Sequence, residues 1–131
     1  MTLRTYRVAD KKGRRTMRYL LMIYGDAAAQ PQTEAEMGAM WQAYDAYTHW
    51  LQDTGQHLGG EALQDPSAAT TVAIRNGRRI VSDGPFAETK EQLGGYYLIN
   101  AADLDAAIEA AARIPGAAFG TIEIRPILEM G

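Results

Sequence analysis

Arg18-Tyr19-Leu20-Leu21-Met22-Ile23-Tyr24-Gly25 (residues 18–25) decides the fold. Read with a period of two, Tyr19, Leu21 and Ile23 fall on one pleat face and Leu20, Met22 and Tyr24 on the other. Both faces are apolar, the pattern of a central strand covered on both sides. The run has strand length and falls far short of the ~18 apolar residues that a membrane span needs.

Working outward, Gly25-Asp26 and Gln30-Pro31-Gln32 read as loop. Thr33 followed by Glu36 is a capping box that opens a helix to about Thr54. Met37, Met40, Trp41, Tyr44, Tyr47 and Leu51 make its apolar stripe, and Gly55 stops it. Residues 57–63 form a second strand, broken by Gly59-Gly60 and closed by Asp65-Pro66. Residues 70–75 and 78–82 flank Asn76-Gly77, a strong hairpin signal. Residues 94–100 give another strand. A second helix over 103–114 turns Leu104, Ala107, Ile108 and Ala111 inward and ends at Pro115. In a last strand, 120–128, Ile122 and Ile124 alternate against Thr121, Glu123 and Arg125.

The order β-α-β-β-β-β-α-β is α+β: a ferredoxin-like sheet with two helices on one face and an extra β-hairpin. Two helices cover only one face. The apolar second face of strand 18–25 therefore points to a sheet-to-sheet homodimer.

The 131 residues suit one domain, and 47% hydrophobic with 22% charged residues is a globular composition. Without cysteine there is no disulfide, thiol nucleophile or thiolate metal site, and two histidines do not make an all-protein zinc site. No metal or cofactor is expected. The net charge of −3 is unevenly spread. Residues 1–16 hold six basic residues against Asp10, leaving seven basic and fifteen acidic residues beyond. An acidic body repels phosphates and argues against direct nucleic-acid binding by residues 17–131. Residues 1–16 read as a flexible basic extension, with Met17-Arg18-Tyr19 resembling a natural start. The extension lacks the apolar core of a secretory signal, so the expected location is cytoplasmic, with no membrane partner.

Ser82-Asp83-Gly84-Pro85-Phe86-Ala87-Glu88-Thr89-Lys90-Glu91-Gln92-Leu93-Gly94-Gly95-Tyr96-Tyr97 resembles the signature of the DGPF proteins of the YCII-related family. Residues 17–25, Gly59-Gly60-Glu61-Ala62-Leu63 and Glu123-Ile124-Arg125-Pro126-Ile127 resemble further blocks in the family's order. The resemblance covers residues 17–130. It implies a dimeric α/β-barrel, two ferredoxin-like sheets face to face around a cavity, with no settled activity for DGPF proteins. It also implies an association of some relatives with extracytoplasmic-function sigma factors, and a His and an Asp in the cleft of the broader group. The family histidine sits in an Arg-x-x-His context on the first helix, which this sequence lacks; His49 lies on that helix, with Asp45 and Asp53 four residues away on a polar side.

Asp83 is the catalytic candidate. Held at a strand end by Gly84 and Pro85, it serves either as an acid/base or cation-binding group, or as a cap on its own turn. Glu123 and Arg125 share a pleat face; Arg125 suits a carboxylate or phosphate, and an edge ladder of charges is the plain alternative. Glu61 follows two glycines, as in a cleft wall or a bulge. Tyr96 and Tyr97 point to opposite faces, so at most one lines a cavity. The expected function is binding or transformation of a small polar metabolite in an inter-sheet cleft. The alternative is a protein–protein regulatory module acting with an extracytoplasmic-function sigma factor.

Overall fold

A computed structural model describes the backbone of residues 8–9 and the whole of residues 15–129. Most of the basic extension, 1–7 and 10–14, lies outside the described residues. The long strand begins at Arg15, three residues ahead of the expected start, and Thr16 is buried.

Seven strands and two helices follow in order: β1 (Val8–Ala9), β2 (Arg15–Gly25), α1 (Glu34–Asp53), β3 (His57–Ala62), β4 (Thr70–Arg75), β5 (Arg78–Asp83), β6 (Gln92–Ala101), α2 (Leu104–Ala112) and β7 (Gly120–Pro126). β6 pairs with one edge of β2 and β7 with the other, while β3 adds outside β6, all antiparallel. The order β3-β6-β2-β7 is ferredoxin-like, and β1 pairs with the first two residues of β2. β4 and β5 form a separate two-stranded sheet inserted between β3 and β6.

Local chemistry fixes the helix starts. The Thr33 hydroxyl accepts the Glu36 N–H at 3.1 Å as the helix N-cap, and it donates to Glu36 Oε1 at 2.9 Å. Asp103 caps α2 by accepting from the Ala106 N–H at 2.9 Å.

The core lies between the helices and one sheet face: Tyr19 and Leu21 of β2, Ile99 of β6, Tyr47 and Leu51 of α1, Ala107, Ala110 and Ala111 of α2, and Ile114. Small residues on α2 bring that helix close to the sheet. The two helical stripes differ from the sequence expectation. Only Tyr47 and Leu51 of the α1 stripe are buried, whereas Met37 and Trp41 are exposed because the first turns of α1 run past the sheet's cover. On α2, Leu104 and Ile108 are exposed, and Ala107, Ala110, Ala111 and Ile114 face inward. Trp50, off the apolar stripe, is half-buried: it packs on Tyr47, and the Arg113 guanidinium lies 4.4 Å over its ring.

One polar bond ties the core together. The buried Tyr47 hydroxyl donates to the Ala110 carbonyl at 2.8 Å, joining α1 to the last turn of α2. Burial pushes the Tyr47 hydroxyl well above the ordinary tyrosine range, with neighbouring Tyr97 and Tyr44 adding to the rise. A raised folded pKa contributes stability that is complete below about pH 10 and lost as pH climbs toward the folded value. Tyr47→Phe is expected to lose about 1 kcal/mol at neutral pH and to flatten the alkaline fall in stability. Urea unfolding at neutral and alkaline pH measures both.

Candidate functional site

The sheet face away from the helices is built by register. Residues opposite one another in an antiparallel sheet share a face. Glu61 stands opposite Tyr96, Tyr96 opposite Met22, and Met22 opposite Glu123. The neighbouring row runs Gly59, Leu98, Leu20, Arg125. Ile122 and Ile124 pack against the core on the other side, so Glu123 and Arg125 face outward, away from the helices.

Four of the six sequence candidates, Glu61, Tyr96, Glu123 and Arg125, are thus gathered on one open face. Arg125 makes an ion pair with Glu123 on the same strand. Gly60 explains part of the arrangement: a Cβ there would meet the Tyr96 carbonyl at 2.7 Å and the Tyr97 ring at 2.8 Å. Tyr97 goes to the helix-covered side. Its ring meets Tyr47 edge-on at 5.1 Å, its hydroxyl shares a 2.9 Å hydrogen bond with Thr48, and burial raises its pKa. Tyr96 therefore lies on the open face, and Tyr97 packs against the core on the covered face.

Asp83 stands apart from this row. It is exposed at the end of β5, opposite Thr70, at the base of the β4–β5 hairpin. The turn beyond it holds Gly84 at φ +97°, and the Gly84 N–H donates to the Ala69 carbonyl at 2.7 Å. That bond joins the two chain segments at the root of the hairpin.

Those segments enclose a groove of about 800 Å³ that the sequence reading missed. Tyr24 and Leu93 contribute to it, with residues 63–69 on one side and 85–92 on the other. Tyr24 lies on the same pleat face as Met22, so the groove continues the open sheet face. Its lining is mostly apolar, with Gln64, Asp65, Thr89, Glu91 and Gln92 as polar members. Asp65 caps a short 3-10 turn at Pro66–Ala68, and hydrogen bonding to Ser67 holds its carboxyl below the usual range. Both Glu91 carboxylate oxygens accept from Thr121, at 3.1 and 3.2 Å. The Gln92 side-chain amide donates to the Ala87 and Thr89 carbonyls, each at 3.0 Å, and curls the loop over the groove. In sequence Glu88, Lys90, Glu91 and Gln92 read only as a solvated turn or short helix.

His49 lies 3.7 Å from Asp45 on an exposed helix surface, and among the described residues no group of three ligating side chains forms a metal site. No helix among them is long and apolar enough to cross a membrane.

The family model for the YCII-related domain matches residues 17–131, which hold β3, β6, β7 and all but the first two residues of β2. The chain belongs to the YCII-related family. It is also similar to an uncharacterized protein of Rhizobium meliloti (strain 1021), 49% identical over 67 residues, which is 50% of this chain and 54% of that protein. The match thus spans about half the length of that curated relative. The fold seen in this YCII-related chain is α+β and ferredoxin-like. Gln92→Ala is expected to speed amide exchange across residues 87–91 while moving the unfolding midpoint by no more than about 2 °C, since only exposed loop bonds are lost. Hydrogen exchange read by mass spectrometry checks it.

Proposed function

We propose that this YCII-related protein is a cytoplasmic homodimer that binds or transforms a small polar metabolite in the cleft between two open sheet faces. The carrying observation is the single row Glu61–Tyr96–Met22–Glu123, with Arg125 beside it, running into the groove at Tyr24. An apolar floor with a few converging charges is the chemistry of a ligand site. Half-buried Leu20, Met22 and Leu98 on the same face support its closure by a second copy.

The carboxylates of Glu61, Glu123 and Glu91 favour an amine or a hydrogen-bond donor on the ligand. Arg125 suits a carboxylate or phosphate once it exchanges Glu123 for the ligand. Asp83 is the acid/base candidate, exposed and able to take up or release a proton from a group presented beyond the hairpin base.

A thermal-shift screen of small acids, amines and phosphates tests this on the wild type, Asp83→Asn and Arg125→Ala. A ligand at about a hundred times its Kd adds roughly 2.7 kcal/mol, which raises the midpoint by on the order of 4 °C for a domain of this size. The expected result is a hit on the wild type that both variants lose. A hit that both variants keep removes these residues from the site. A panel with no hit turns the reading to the alternative, a regulatory module acting with an extracytoplasmic-function sigma factor, for which co-purification of that factor is the measurement.

A further inference from the structure

The β4–β5 hairpin packs extensively only on itself. Its turn, Asn76 at φ +52° and Gly77 at φ +76°, has the type I′ twist that suits two-residue hairpins. On one pleat face Thr70, Val72 and Ile74 stand opposite Asp83, Val81 and Arg79. Val72, Ile74 and Val81 are 63%, 60% and 58% exposed, and Phe86 just beyond the hairpin is 95% exposed. Two-stranded hairpins are marginal in water on their own, and an apolar strip of this kind marks a contact surface.

Charge says what the contact is. Arg75, Arg78 and Arg79 flank the turn, and among the described residues none has a carboxylate within ion-pair distance. The other four basic residues beyond residue 16 all do: Arg18 with Glu129, Lys90 with Asp26, Arg113 with Glu109 and Arg125 with Glu123. Outside the hairpin, the same stretch carries fourteen acidic residues against those four. One face of the hairpin thus carries an apolar strip, Val72, Ile74 and Val81, between Asp83 at its root and Arg79 near its cationic tip, on a body with a large excess of carboxylates.

We propose that the hairpin is a clasp whose Val72–Ile74–Val81 face lies on a second copy of this chain, with its three arginines paired to that copy's carboxylates. The proposal rests on the homodimer reading above and adds what holds it. A second copy supplies both complements, an acidic surface for the tip and an exposed apolar surface for the strip. A nucleic acid matches the tip alone and leaves the apolar strip in water. Asp83 shares the pleat face of Val72 and Val81, so the clasp turns Asp83 toward the second copy. Each cleft is then completed in trans, by an Asp83 from one chain and the open sheet face of the other.

Sedimentation equilibrium of the full chain, of Val81→Asp and of the triple variant Arg75→Glu/Arg78→Glu/Arg79→Glu tests the clasp, with circular dichroism verifying that each variant is folded. Val81→Asp is expected to raise the dimer Kd by at least about 30-fold. The triple variant is expected to raise it about tenfold at low salt, with a smaller effect as salt increases. Amides of residues 70–83 are expected to exchange slowly at dimeric concentrations and quickly after dilution. A wild type that is monomeric at every concentration defeats the homodimer reading and the clasp with it. A wild-type dimer whose affinity both variants retain overturns the clasp alone. Loss of oligonucleotide binding by the triple variant, with dimerisation intact, also overturns it and makes the tip a nucleic-acid site.

Discussion

Everything in this fold depends on β2 being hydrogen-bonded along both edges while carrying apolar side chains on both faces. With β6 on one side and β7 on the other, the backbone groups of residues 19–25 are satisfied within the sheet. The side chains of Tyr19 and Leu21 then fix the core with the helices, and those of Leu20 and Met22 are committed to the opposite face. A shift of one residue in this register would exchange the two sets and destroy both the core and the open face.

The two faces obey different physics. The covered face is filled by small α2 residues and by the Tyr47–Tyr97 edge contact, so its polar atoms are tightly accounted for. Two exceptions stand at the far end of the sheet. Gln56 Oε1 and Asn100 Oδ1 are buried without a hydrogen-bond partner, and both residues line a cavity of about 290 Å³, large enough for water. The open face instead mixes half-buried apolar residues with Glu61, Glu123 and Arg125. A composition of that sort neither makes a satisfactory core alone nor suits a fully wet surface.

The hairpin adds a second unsatisfied surface of another kind. At its root the Gly84 N–H meets the Ala69 carbonyl and ties the two flanking segments to each other, and nearer the main sheet Leu63 donates to the Gly94 carbonyl at 2.9 Å. Beyond those roots the arm has no extensive packing of its own. The root bonds hold the groove walls together as well, so the groove and the arm are coupled through the same few backbone atoms.

The sequence by itself determined the order of the elements from β2 onward, while β1 and the first three residues of β2 were not legible in it. The period-two run at 18–25, the Thr33 N-cap and Asn76-Gly77 are local patterns whose energies act over a few residues, and each appears where expected. Alternation also placed Glu123 with Arg125, and put Tyr96 and Tyr97 on opposite faces. Tertiary structure decided which face was which: Ile122 and Ile124 meet the core only once β7 lies beside β2, and that contact turns Glu123 and Arg125 to the open side. It also decided that Met37, Trp41, Leu104 and Ile108 stay outside, because helix placement over a finite sheet, and not helical periodicity, sets how far an apolar stripe is covered. The groove and the separation of Asp83 from the polar row belong to the same class. They arise from long-range pairing of 63–69 with 84–94, which no local pattern encodes.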